Sequence, residues 1–359
     1  MKKLLFIANY GSKYGGAPTS LLHLISDIKN NYDISVMMPD NGELSDLLSQ
    51  MNIKIEISKF RIRYIFGLAH KIYKGKYDLI YANGFHYRPI LVLVISKLIN
   101  IPFIWHIREV LDSKKNAQAK WIKYANLIIA NSNATANSLS KIASKEKIKV
   151  VMNGININEF IYNNKNRIKI RESLNIPIDS IVVCNIGRIG KQKNQSEVIS
   201  IASELKNSPS NLHYIFVGHH QDDAYMQLMM QKVYDLNLQS KIHFVGHRSN
   251  VADYLSASDI LIHTSREESQ GRVILEAMAS RIPIIAYDVG GIHESLINRE
   301  TGILVPFGRK DLLLEELKIM IQDEEKRKVY GNNGLNHVQN FSSQITSNQI
   351  SRLIKNSIR

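Results

Sequence analysis

One cysteine, Cys184, is the whole thiol inventory of this 359-residue chain. That excludes an intramolecular disulfide framework and a cysteine-rich zinc site, and it agrees with a reducing compartment. Long apolar runs are also missing. Met1-Lys2-Lys3 precedes only five apolar residues, Leu4 to Ala8, where the core of a secretory leader takes roughly 7 to 15. The longest run elsewhere, Ile90 to Ile95, falls far below the roughly 20 residues of a membrane-spanning helix. The expectation is a cytoplasmic protein that is not integral to a membrane. There is no internal repeat and no low-complexity tract, and 44% hydrophobic with 22% charged residues is the composition of an ordinary globular protein.

Acidic residues are the underrepresented charge: 32 Asp and Glu stand against 46 Lys and Arg, a formal charge of +14. The excess is uneven. Residues 1–160 hold 22 basic and 11 acidic side chains, a net of +11, whereas residues 161–359 hold 24 and 21, a net of +3. A genome-wide bias would act on both halves alike. Within the first half, Lys54, Lys59, Arg61, Arg63, Lys71, Lys74 and Lys76 surround Ile62, Ile65, Phe66, Leu68, Ala69 and Ile72, whose spacing fits one helical face. Lys114, Lys115, Lys120 and Lys123 form a second cluster. Such a surface is either a solvated helix face or one that adsorbs to anionic lipid, where each basic side chain contributes roughly 1 kcal/mol. Nucleic acid is not expected as the partner, because no helix-turn-helix, aromatic RNP-like pattern or Cys/His finger accompanies the charge.

Short apolar runs without strict alternation recur along the chain, the pattern of parallel strands buried on both faces. They are Leu4 to Ala8, Ile34 to Met38, Leu79 to Ala82, Phe103 to His106, Leu127 to Ala130 and Lys149 to Met152, then Ile181 to Ile186, His213 to Val217, Ile242 to Val245, Ile260 to His263, Ile284 to Ala286 and Ile303 to Val305. Stretches such as Ala17 to Lys29 and Gln192 to Lys206 are long enough for crossover helices. Two doubly wound α/β domains are the simplest architecture. An Asn-rich stretch, Asn153 to Asn166, marks the boundary near residue 160, and residues from Asp323 onward read as two helices, the second following Phe341-Ser342-Ser343.

The most informative segment runs from Ser265 to Ala279. It follows the strand Ile260 to His263 and opens a helix, so it lies at the carboxyl edge of a parallel sheet, where α/β folds bind ligands. Unpaired amides of Gly271, Arg272 and Val273 at that helix start suit a phosphate. Glu268 precedes the helix and can accept hydrogen bonds from a group above its end, while Glu276, eight residues on, can accept two ribose hydroxyls.

This segment resembles the E-x7-E motif of the retaining glycosyltransferases of family 4 (glycosyltransferase group 1), which have the GT-B fold: two Rossmann-like doubly wound domains facing across a cleft. Further pieces follow in the family's order: Gly15-Gly16 before a helix, Trp105-His106-Ile107-Arg108-Glu109, Val151 to Ile155, Ile186 to Asn194, Phe244 to Arg248 and Ala286 to Glu294. The resemblance implies an acceptor-side domain over 1–160, a donor-binding domain over 161–340 and a terminal helix within 341–359, from Thr346 to Ile358, packing back on the first domain. It implies a hinge near Asn153 to Asn158 and closure about it. It assigns His106, Arg188, Lys193 and Glu268 to catalysis, His106 emerging at the sheet edge near the sugar and the two cations meeting the leaving phosphate. The nucleotide-sugar set is Gly15, Gly16, Gly218, Arg248, Ser269, Gln270, Gly271, Arg272, Val273 and Glu276. Two departures stand out. Ser269-Gln270 replaces the family's frequent Gly-Phe, which bears on the donor sugar, and Arg281 sits where a Gly is common before Pro283.

The expected activity is metal-independent, cofactor-free hexosyl transfer with retention, from a UDP-sugar to a glycan or lipid-linked acceptor in bacterial cell-surface polysaccharide synthesis. The protein would be cytoplasmic or peripheral on the inner membrane face. No Asp-x-Asp stands where a metal-dependent transferase needs it, and Asn9-Tyr10-Gly11 replaces the Gly-x-His that an inverting base would occupy. The alternatives are a non-catalytic GT-B subunit binding a glycan or protein acceptor, and a GT-B enzyme with a soluble sugar or phosphate acceptor.

Overall fold

The computed structural model describes residues 1–12, 15–112, 116–220 and 222–358. Lys114 and Lys115 of the second basic cluster lie outside them. The chain forms two compact units, one from Met1–Ile155 with the stretch beginning at Phe341, the other from Asn156–Asn340.

In the first unit seven parallel strands, β1 (Lys3–Ala8), β2 (Asp33–Met38), β3 (Lys54–Ile57), β4 (Leu79–Asn83), β5 (Phe103–Ile107), β6 (Leu127–Ala130) and β7 (Ile148–Val150), order as β3-β2-β1-β4-β5-β6-β7. The central strands are buried on both faces, which is why they read as apolar runs rather than alternating ones. β3 is absent from the expected strands. Its sequence, Lys-Ile-Glu-Ile, is short, charged and only half-buried at the sheet edge, so it reads as part of the basic cluster. The helix Ser343–Ser357 belongs to this unit: Ile350 and Ile354 are buried with Leu21, Leu24 and Ile25 of the helix Gly16–Ile28. Ser347 donates to Asp27 Oδ2 at 2.7 Å, and the backbones of Ile155 and Phe341–Ser343 exchange two hydrogen bonds.

The second unit has six parallel strands: β8 (Ile181–Ile186), β9 (Leu212–Val217), β10 (Ile242–Gly246), β11 (Ile260–His263), β12 (Ile284–Asp288) and β13 (Ile303–Pro306), ordered β10-β9-β8-β11-β12-β13. Its base is stitched by Arg171, almost wholly buried. Arg171 pairs with Asp259 at 2.8 Å and donates to the carbonyls of Ala257, Ile178 and Ser180, while Asp259 Oδ2 also accepts from the Val182 amide. A buried guanidinium is tolerated only with its donors used in this way.

Strand order reverses once in each sheet, at β1/β4 and at β8/β11. Connections leave in opposite directions there, opening a crevice at the carboxyl ends of the strands.

Candidate functional site

The β8/β11 crevice is lined by two loops. The first, residues 187–194, joins β8 to the helix Gln195–Glu204; the second, residues 264–271, joins β11 to the helix Arg272–Ala279. They are tied side by side: the Arg266 amide donates to the Gln192 carbonyl at 2.8 Å, and Thr264 Oγ1 donates to the Lys193 carbonyl at 3.0 Å. Beside them a cavity of about 500 Å³ is lined by Lys191, Gln192, Asn194, Ser196, Tyr225, Arg266 and Glu267.

Glycines set the loop shapes. Gly271, the N-cap residue of the second helix, has φ 79°, and a Cβ there would meet Ile292 Cδ1. Gly290, in the turn after β12, has φ 57°, and its missing Cβ makes room for the Glu268 carbonyl, which accepts from the Gly291 amide at 3.2 Å. Gly290 is a site residue that the sequence did not single out. Gly218 has φ 153° and lies with its backbone against the Gly187 carbonyl, a position that packs strand ends together.

Across the crevice Lys193 Nζ forms an ion pair with Glu268 Oε2, and His263 Nε2 lies 3.3 Å from the same oxygen. Burial alone would raise the Glu268 pKa, but the Lys193 charge and the His263 bond overcome it and hold the carboxyl down to about 2. Burial keeps His263 below its ordinary value, so the group beside the carboxylate is a neutral imidazole. His263 ends β11 and is almost fully buried, a position that reads in sequence as one more apolar strand residue.

Arg272 Nε donates to Glu276 Oε1 at 2.8 Å, one helical turn apart, so the first turn of this helix presents backbone amides beside a paired cation and acid. Val273 is half-buried in that turn, as is Ser269 before it, and Gln270 is completely buried. Arg188 is exposed on the first loop, its Nη2 3.2 Å from Gln192 Oε1. Arg248 is exposed after the edge strand β10 and donates to Tyr254 Oη at 2.9 Å. The structure thus brings Lys193, Glu268, Gly271, Arg272 and Glu276 to adjoining loops and one helix, with Arg248 at the sheet margin.

In the first unit Gly15 is the N-cap residue of the helix Gly16–Ile28, with φ 95° and open space where a Cβ would stand. Asn83, at the end of β4, donates to the Ala17 carbonyl at 2.9 Å and fixes that helix start.

The expected position of His106 is corrected. It is 0% exposed inside β5, and Nδ1 lies 2.6 Å from Tyr81 Oη and 3.2 Å from Arg108 Nη2. Burial and the Arg108 charge push its pKa well down, so it is neutral, with Nδ1 accepting and the proton on Nε2. The cause is strand length: β5 continues to Ile107, so His106 stays within the layer beside Tyr81, and two residues on, Arg108 is the side chain that emerges. Arg108 donates to Asn83 Oδ1 at 2.8 Å and to Asn153 Oδ1, a link between strand ends that the sequence does not display. Among the described residues no three His, Cys, Asp or Glu side chains gather at metal-binding distance, and no helix is long and apolar enough to cross a membrane.

Comparison with known proteins follows the same division. Residues 166–337 match the family model of Glycosyl transferases group 1, and residues 14–159 match that of Glycosyltransferase Family 4. The capsular polysaccharide biosynthesis glycosyltransferase CapM of Staphylococcus aureus is 28% identical over 212 residues, 57% of this chain and 54% of that protein. An Escherichia coli UDP-Gal:alpha-D-GlcNAc-diphosphoundecaprenol alpha-1,3-galactosyltransferase is 23% identical over 334 residues, 86% of this chain and 85% of that protein. In several such matches the chain spans about half the length of the curated relatives. The crystal structure of Anabaena HepE with UDP and glucose superposes with a TM-score of 0.90 at 24% identity, covering 99% of this chain and 100% of that one.

Proposed function

Because the chain belongs to glycosyltransferase family 4, with the two Rossmann-like units of the GT-B fold, we propose that it transfers a sugar, with retention, from a UDP-sugar to a glycan or lipid-linked acceptor in bacterial surface polysaccharide synthesis. The observation that carries this reading is the Lys193–Glu268 pair, with Glu268 packed beside Gly271, the N-cap residue of the helix Arg272–Ala279. A diphosphate needs positive charge and amide donors; a sugar needs a fixed acceptor of hydrogen bonds. The crevice offers both within a few residues. A UDP-linked donor is supported by the relatives: one acts on a UDP-sugar by name and another holds UDP and glucose.

In this reading Glu276 receives the ribose hydroxyls, exchanging its bond to Arg272, and the amides of Gly271, Arg272 and Val273 receive the diphosphate. Gly15, Gly16, Ser269, Gln270, Gly218 and Arg248 complete the proposed donor set. Arg188 and Lys193 stabilise the charge that builds on the leaving phosphate, each worth about 3 to 4 kcal/mol in a dry site. With those cations in place no divalent ion is required. Glu268 holds sugar hydroxyls, attack occurs on the leaving-group face, and the departing phosphate takes the acceptor proton. His106 acts at a distance, by positioning Arg108. Site closure excludes water from the reacting atoms, at the inner membrane face where lipid-linked acceptors reside.

The product's anomeric configuration, followed by NMR from a matched UDP-sugar and acceptor in EDTA, tests this mechanism. Retention at an undiminished rate is expected; an inverted product or loss of turnover in EDTA would overturn it.

A further inference from the structure

From Ile57 to Tyr77 the chain contains no Asp or Glu, yet it carries Lys59, Arg61, Arg63, Lys71, Lys74 and Lys76. This stretch folds as a 3-10 turn, Ile62–Tyr64, and a helix, Ile65–Gly75. Leu68 and Ile72 are buried in the core of the first unit, with Ile65 and Ala69 packed against it. The apolar stripe does not end there. Ile62, Phe66 and Tyr73 are 76, 87 and 70% exposed; Phe66 and Tyr73, seven residues apart, share one side of the helix, and Ile62 stands in the turn that leads into it. Of the apolar residues that the spacing grouped on one helical face, Leu68 and Ile72 are buried, while Ile62 and Phe66 stand in water.

Next to Phe66 and Tyr73, on the side away from the core, helical spacing places His70 and Lys74, both exposed, and Arg63 is exposed in the preceding turn. Lys59 Nζ and the Arg63 guanidinium lie 5.5 and 4.9 Å from the centre of the Tyr64 ring, which holds two cations together at the helix entry. Scattered exposed apolar residues need no explanation; a contiguous stripe bordered by unneutralised cations does.

We propose that this helix and the turn before it dock on an anionic lipid bilayer, with Ile62 and Phe66 entering the acyl boundary, Tyr73 at headgroup level, and Lys59, Arg61, Arg63 and Lys74 on lipid phosphates. The charge is complementary, and the apolar stripe decides between anionic partners: aliphatic Ile62 has no role against a nucleic-acid backbone, whereas an interfacial helix requires such a residue. This docking does not depend on which sugar the protein transfers.

Sedimentation of the full chain with phosphatidylcholine vesicles, with and without phosphatidylglycerol, tests it. Binding is expected to the anionic vesicles alone and to fall with salt. The triple variant Arg61→Gln, Arg63→Gln, Lys74→Gln should weaken it about 100-fold. Ile62→Asp with Phe66→Asp should weaken it as well, with the melting temperature unchanged because both positions are solvent-exposed. Phe66→Trp should show a blue-shifted emission on anionic vesicles only. Absence of wild-type binding, or binding indifferent to both sets of variants, overturns the proposal, and retention on DNA without vesicle binding assigns the surface to nucleic acid instead. Stabilisation of every variant by UDP, read in the same melts, keeps this result separate from the proposed transferase activity.

Discussion

Lys193 and Glu268, 75 residues apart in the chain, meet as an ion pair because β8 and β11 are neighbours in the sheet. Each charge answers the desolvation of the other, and neither strand alone could hold them.

The first prediction follows from that pair. Glu268 is charged in the folded protein down to about pH 2, against an ordinary carboxylate value near 4.5. Its folded pKa is depressed, so its contribution to stability is present above 4.5 and disappears as pH falls toward 2. Urea unfolding should show Glu268→Gln less stable than wild type at pH 7 by about 2 to 3 kcal/mol, with the gap closing between pH 4.5 and 2. A gap independent of pH would contradict the pairing.

His106 is predicted to be structural, and its titration runs in its own direction. Its folded pKa lies below the unfolded value of 6.5, so the unfolded chain binds the extra proton and stability is lost as pH falls below 6.5. His106→Gln should remove that part of the acid sensitivity between pH 6.5 and 5, while costing about 1 to 3 kcal/mol at pH 8 through the orphaned bonds to Tyr81 and Arg108. Thermal melts of both proteins across this range are the check.

Gly290→Ala should damage the site through the backbone. The added methyl overlaps the Glu268 carbonyl and the φ of 57° is unfavourable for alanine, so a loss of about 2 kcal/mol or more is expected. UDP-induced stabilisation should fall with it. Gly190→Ala, where nothing lies within reach of a Cβ, is the control that should leave both unchanged.

The terminal helix is predicted to hold the first unit alone. Ile350 and Ile354 are fully buried against the helix Gly16–Ile28, so Ile350→Asp should cost about 4 kcal/mol or more. Hydrogen exchange should show the loss in Leu21 to Ile28, with β8 and β11 still protected; uniform deprotection would contradict it.

Much of this architecture is legible in the chain. Twelve apolar runs announce buried parallel strands because both faces of each sheet are covered, and the edge strand β3 escapes because it is short, carries Lys54 and Glu56, and has no fully buried residue. The E-x7-E segment is legible because strand, loop and helix start are contiguous. What sequence cannot display is non-local: Gly290 matters through the carbonyl of Glu268, His263 through a carboxylate five residues on, and His106 through a strand one residue longer than its apolar run. Exposure is equally hidden, since Leu68 and Phe66 look alike until packing separates them.

The most direct measurement is sugar release or transfer from a panel of UDP- and GDP-sugars by wild type, Arg188→Ala and Glu276→Ala. Wild type is expected to turn over a UDP-sugar and Arg188→Ala to lose about 100-fold or more, the loss expected when a leaving-group donor is removed, with Glu276→Ala similarly impaired. Turnover unchanged in both variants would contradict these roles.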